Sequence, residues 1–189
     1  MKKLVLVILS VLLLLYPVGV YFGLQYFNAR VIGALLLSIL LIRILLLKNQ
    51  LSMARVKPLL PLAIAGVLVA IVIIVFNDPL VVKFHPVVIS FASLVIFART
   101  LIYPPSMIET FARMGEPDLP ESGVVYTRKV TMVWCGFFVL NLSIAFYTAV
   151  WASMDVWLLY NGLISYLLMG LLFAGEYIVR LRTLKRAVV

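Results

Sequence analysis

VTMVWCGFFVLNLSIAFYTAVWASM, residues 130–154, passes without a single charged side chain. A helix rises about 1.5 Å per residue, so roughly 20 apolar residues cross the ~30 Å hydrocarbon core of a bilayer, and this run exceeds that. Hydrocarbon offers the backbone no hydrogen-bond partner. A lipid-exposed open strand is therefore excluded, and the alternation of a membrane barrel is absent, so the run reads as a transmembrane helix. Uncharged runs of similar order occupy 4–29, 59–77 and 156–175. Two more spans appear if one arginine each is admitted, 31–47 with Arg43 and 87–103 with Arg99. The expected fold is all-α: a polytopic membrane protein forming one bundle over residues 1–189. Its six transmembrane helices fall at about 4–26, 31–47, 59–76, 87–103, 130–151 and 156–179.

Composition agrees with that reading and removes several function classes. Of 189 residues, 65% are hydrophobic and 12% charged, with a mean hydropathy of +1.19, too apolar for a soluble domain of this length. One cysteine excludes an intramolecular disulfide. With one histidine beside it, soft ligands are too few for a zinc or iron–sulfur site, so no metal and no other cofactor is expected. A net charge of +9 invites nucleic acid, but no soluble domain is present to carry a basic patch. In a membrane protein, Lys and Arg report instead which loops stay in the cytoplasm. The N-terminal run has the form of a signal peptide; it lacks an A-x-A-like cleavage site and continues to Phe27, so it is expected to remain as a helix.

With the N-terminus inside, Lys2, Lys3, Lys48, Arg55, Lys57, Arg113, Arg128, Lys129, Arg180, Arg182, Lys185 and Arg186 all lie on the inner side. Only Arg30 and Lys83 lie outside. This bias predicts that both termini are cytoplasmic in a bacterial inner membrane, together with the one long hydrophilic loop at 104–129. That loop opens with PPSMIETFARMG. Its Ser106 and Glu109 have the spacing of a capping box, Met107, Ile108, Phe111 and Met114 share one helical face, and Gly115 is a natural stop. A short amphipathic interfacial helix is expected there, either as a connector or as a docking element. The turns of EPDLPESG follow, and VVYTRKV then leads into the fifth span.

Polar residues inside the spans are the next candidates for function. Arg43 and Arg99 cost about 2.5–3.5 kcal/mol near a helix centre, less at the inner end where they sit, so they either snorkel or bind an anionic headgroup. Glu176 precedes Arg180 by four residues and is placed for an interfacial ion pair, or for neutralising Arg99 or Arg43. Asn141 needs an interhelical partner, which Asn161 or Ser165 could supply. Gly66 with Ala70, and Gly170 with Ala174, form small-xxx-small pairs. Trp151 and Trp157 are placed as interfacial aromatics around Asp155. On the outer side Asp78, Lys83 and His85 lie close in sequence, where a histidine–carboxylate pair would serve acid–base chemistry. No hydrolase, metalloprotease, phosphate-loop or histidine-x4-aspartate acyltransferase pattern occurs.

From ARMGEPDLPESGVVYTRKVTMVWCGFF to WLLYNGLISYLLMGLLFAGEYIVRLR, over about Arg113–Arg182, the chain resembles a family of small, poorly characterised inner-membrane proteins of Gram-negative bacteria. The positions carrying the likeness are Pro120, Tyr126, Thr127, Arg128, Trp134, Tyr160, Asn161, Gly162, Glu176, Tyr177 and Arg180. Members are often encoded among acyl carrier proteins, ketosynthases and acyl-activating enzymes of aryl-polyene-type pathways. The resemblance implies a pathway rather than a reaction, because this chain cannot supply a ketosynthase's reactive cysteine with its histidines. The expected role is an accessory protein for acyl-chain or polyene lipid assembly at the cytoplasmic leaflet. Its partners would be membrane lipids and an acidic acyl carrier protein or pathway enzymes, with no nucleic acid. Arg99, Arg113, Tyr126, Arg128, Glu176 and Arg180 are the expected partner- or headgroup-binding residues. An integral membrane enzyme transferring an acyl group and a small lipid transporter or flippase are the alternatives.

Overall fold

The computed structural model describes residues 2–48 and 60–187, and every regular element among them is helical. Arg55 and Lys57 lie outside the described residues, as do the side chains of Lys2, Lys3, Lys48, Arg182, Lys185 and Arg186. Among the described residues four helices are long and apolar enough to cross a membrane, five if a bent pair at the N-terminus is one span. Large apolar side chains such as Leu35, Leu140 and Leu171 face outward along them, a surface that hydrocarbon covers better than water. These helices mark a membrane protein.

The expected span 4–26 is a bent pair: α1 (Lys2–Leu14) and α2 (Tyr16–Tyr26) meet at 70°. Pro17 is the cause. It has no N–H to donate one turn back, and its ring blocks a continuous helix, so the chain breaks at Leu15 and Pro17 starts the next helix instead.

α3 (Ala29–Lys48) and α4 (Leu60–Phe76) pack closely. Gly33 allows the approach, since a Cβ there would lie 2.8 Å from Ile73 Cγ2 and 3.1 Å from the Ala70 carbonyl oxygen. Asn77 ends α4 in the left-handed region, φ 51°, and its Oδ1 accepts the Arg30 backbone N–H at 2.8 Å. The Arg30 Nε donates to the Ile74 carbonyl at 3.1 Å, so this loop satisfies the helix end with its own neighbours.

Asp78 then caps a short α5 (Pro79–Lys83), and α6 (His85–Ile102) follows as the fourth expected span. Beyond it, α7 (Met107–Arg113) forms the amphipathic helix with its capping box complete. Ser106 Oγ accepts from Glu109 N, and Glu109 Oε2 accepts from Ser106 N.

α8 (Glu121–Trp151) begins well before the expected 130, so VVYTRKV lies within its first three turns rather than in a lead-in. At ~1.5 Å per residue its 31 residues reach about 46 Å, longer than the hydrocarbon core. Its early turns carry Tyr126, Arg128 and Lys129.

The last expected span is also interrupted. α9 (Met154–Leu159) passes through a π-helical turn, Tyr160–Ile164, into α10 (Ser165–Ala187). The Ser165 N–H reaches back to the Tyr160 carbonyl. The extra residue in that turn shifts the register of the helix that follows, and Tyr160 and Asn161 at its start are both buried.

One core joins α2, α3, α4, α5, α6, α8 and the α9 end. Val20, Ala70, Ile73, Val82 and Trp157 are among its fully buried members. Trp157 corrects the sequence reading: it is not an interfacial aromatic but a core residue, donating from Nε1 to the Lys83 carbonyl at 3.1 Å. Trp151 stays 66% exposed, as expected. Of the small-residue pairs, Gly66 and Ala70 do face α3, with Gly66 against Leu40, whereas Gly170 has no neighbour for a Cβ and Ala174 is exposed.

Candidate functional site

Polar main-chain groups fix the amphipathic helix before its apolar face does. The Met107 N–H donates to Thr100 Oγ1 on α6 at 2.9 Å, and the Ile108 N–H to Thr131 Oγ1 on α8 at 3.3 Å. Each threonine hydroxyl in turn donates to a carbonyl of its own helix, Phe97 and Thr127 respectively. These bonds satisfy the first N–H groups of α7 and hold it against the ends of α6 and α8. Arg113 closes the helix by pairing with buried Glu109 at 2.9 Å and donating to the Pro117 carbonyl.

The apolar face of α7 then becomes one wall of a cleft of about 390 Å³. Ile108, Phe111 and Ala112 line it from α7, Leu119 and Pro120 from the turn, Tyr126 and Val130 from α8, and Phe173 from α10. Trp134 forms the floor, with ring centroids 4.7 Å from Phe173 and 5.8 Å from Phe138. At the rim the Tyr126 hydroxyl bridges α8 to α10, 3.2 Å from the Glu176 carbonyl and 3.3 Å from its carboxylate Oε1. Arg180 lines the same rim one turn further on. Across the Tyr126–Glu176 bridge lies a second cleft of about 650 Å³, with Lys129, Val133, Leu171 and Val179 on its walls. The Trp134–Phe173 ring contact and the Tyr126–Glu176 hydrogen bonds join the two helices here, with apolar openings on either side.

Three of the six expected headgroup or partner residues, Tyr126, Glu176 and Arg180, come together here. The others do not. Arg99 is exposed, with its guanidinium over the Tyr103 ring at 5.9 Å, Arg113 is tied to Glu109, and Arg128 is exposed on α8. The expected Glu176–Arg180 ion pair is not formed, nor is one from Glu176 to Arg99 or Arg43; among the described residues Glu109–Arg113 is the ion pair within 4.0 Å. Glu176 instead takes the tyrosine proton donor. Arg43 is half-buried on α3.

The intramembrane amides also find other partners than expected. Asn141 Nδ2 donates to Ser90 Oγ at 2.8 Å, and its Oδ1 accepts from the Tyr160 hydroxyl at 3.0 Å. Asn161 Nδ2 donates to Thr148 Oγ1 and to the Trp157 carbonyl. Asp78, Lys83 and His85 are drawn apart by their separate tasks. Asp78 caps α5, the Lys83 ammonium points at the Ala152 carbonyl at 3.5 Å, and His85 packs on Tyr16 with ring centroids 4.2 Å apart. Partial burial holds the Lys83 ammonium below the usual lysine pKa range. No histidine–carboxylate pair results. No group of three or more metal-ligating side chains occurs among the described residues.

The chain matches no protein-family model, no curated protein and no solved structure.

The aromatic floor is what sequence reasoning missed. Trp134 and Phe173 were legible only as apolar positions in spans. The i, i+4 spacing of Trp134 and Phe138 marks an aromatic face of α8, with Phe138 backing Trp134 from outside the cleft.

Proposed function

We propose that this protein is a bacterial inner-membrane accessory factor that holds an acyl chain at the cytoplasmic leaflet while acyl-carrier-linked enzymes act on its polar end. The observation that carries the reading is the cleft under α7, whose floor is aromatic and whose rim holds Tyr126, Glu176 and Arg180. An apolar slot with a few polar groups at one end is the complement of an amphipathic lipid. In this reading the chain crosses the membrane six times with both termini inside, so the cleft opens toward the cytoplasm where activated acyl groups are made. The excess of basic residues assigned to that face supports the orientation. The same charge attracts an acidic carrier protein and raises its encounter rate. The likeness of residues 113–182 to aryl-polyene-associated membrane proteins points to the same pathway.

A second reading, an acyl-transferring enzyme, draws on the Tyr126 hydroxyl bonded to Glu176 at the cleft, an arrangement that can pass a proton. Product formed from acyl carrier by the purified protein in proteoliposomes would favour it.

A fatty acid carrying a terminal photoreactive diazirine tests the first reading. In proteoliposomes its cross-links should concentrate on Trp134 and Phe173, and Trp134→Ala should disperse them. Cross-links spread evenly over lipid-facing positions such as Leu140 and Leu167 would overturn the acyl-binding role.

A further inference from the structure

Three interruptions of regular helix meet around one chamber of about 120 Å³ inside the bundle. The α1–α2 break supplies Tyr16, the α5–α6 junction supplies His85, and the π-helical turn supplies Asn161. Irregular backbone within a membrane protein persists where it is buried against protein or lines a polar cavity, and π turns recur at functional positions.

The chamber wall has unmet hydrogen-bonding capacity. Asn161 is 4% exposed, and its Oδ1 has no protein partner among the described residues. Its orientation is fixed chemically. The Trp157 carbonyl can only accept, so the NH₂ end must face it and the oxygen must face elsewhere. Ser165 Oγ and the His85 ring also line the chamber and make no hydrogen bond to another described residue. No Asp, Glu, Lys or Arg side chain is among the described lining residues, so none of them offsets the charge of an ion. The fitting guest is neutral, small and able to donate.

We infer that this chamber is a hydration site within the membrane bundle, holding a cluster of water molecules that satisfies Asn161, Ser165 and His85. Liquid water takes about 30 Å³ per molecule, so a few fit, each needing two to four polar partners. The site places the chain's single histidine beside exchangeable water inside the bundle. The inference rests on the bilayer setting and not on the acyl-binding reading of the other cleft.

Radiolytic hydroxyl labelling of the whole protein in proteoliposomes tests it, because two phenylalanines of equal intrinsic reactivity serve as reporters. Phe137 lines the chamber, whereas Phe91 is 56% exposed on the lipid-facing side of α6. Phe137 should be modified about tenfold faster than Phe91, since radicals form from bound water and not in hydrocarbon. Equal rates at the two rings would overturn the inference. In Ser165→Val, which fills and dries the wall, the Phe137 rate should fall to that of Phe91 with the melting temperature retained. Unchanged Phe137 labelling in that folded variant would also overturn it.

Discussion

Gly33→Leu should destabilise the bundle by about 3 kcal/mol, the upper part of the range for overpacking a filled interior. The reason lies in what a side chain would meet. A Cβ at this position falls 2.8 Å from Ile73 Cγ2, 3.0 Å from Ile74 Cγ1 and 3.1 Å from the Ala70 carbonyl oxygen. A side chain can rotate out of the way, but a backbone oxygen moves only if α4 moves. That displacement would strain the Asn77–Arg30 closure at the end of the same helix pair. Gly136→Leu and Gly170→Leu are the matched controls, since neither glycine has a heavy atom within 4 Å of a built Cβ. Thermal unfolding in detergent should show a marked drop for Gly33→Leu and little change for the controls. If Gly33→Leu melts with the controls, the close α3–α4 approach is falsified.

Trp157→Ala should cost about 3–5 kcal/mol, as large aromatic truncations in packed interiors do. Trp157 is fully buried, fills the junction of α2, α5 and α9, and satisfies the Lys83 carbonyl at 3.1 Å. Removing it leaves both a void and an unpaired acceptor. Trp151→Ala should change stability by no more than about 0.5 kcal/mol, since that ring is 66% exposed and loses only surface contacts. The same unfolding measurement ranks the pair. A larger loss at Trp151 than at Trp157 would reverse the assignment of core and rim.

That tryptophan pair shows where the sequence was legible and where it was not. Two tryptophans beside a short polar turn look alike in one dimension, and only the packing of α2 and α5 over one of them separates core from interface. The same limit applied to the helix faces. In a bilayer both the lipid-facing and core-facing sides are apolar, so α4 and α8 carry no strong stripe to say which face packs. The all-helical, apolar character of the chain and the Ser106–Glu109 capping box were readable because they depend on local chemistry alone. Asn141 plainly needed a partner, but Ser90 lies 51 residues away, and sequence proximity favoured Asn161 instead. The π turn at Tyr160–Ile164 gives no one-dimensional signal either, being a register adjustment of one residue. Tyr126, Glu176 and Arg180 were each singled out. Their meeting around an aromatic floor follows from the unexpected early start of α8 at Glu121, which brings Tyr126 into helical register opposite Glu176.

The proposed function depends most on which way the Tyr126–Glu176–Arg180 cleft opens. Ser122 is exposed at its mouth, and Cys135 is the only native thiol to remove. In a Cys135→Ala, Ser122→Cys protein, a membrane-impermeant maleimide should fail to label intact cells and should label fully once the inner membrane is opened. Labelling in intact cells with only the outer membrane permeabilised would place the cleft in the periplasm and contradict the account.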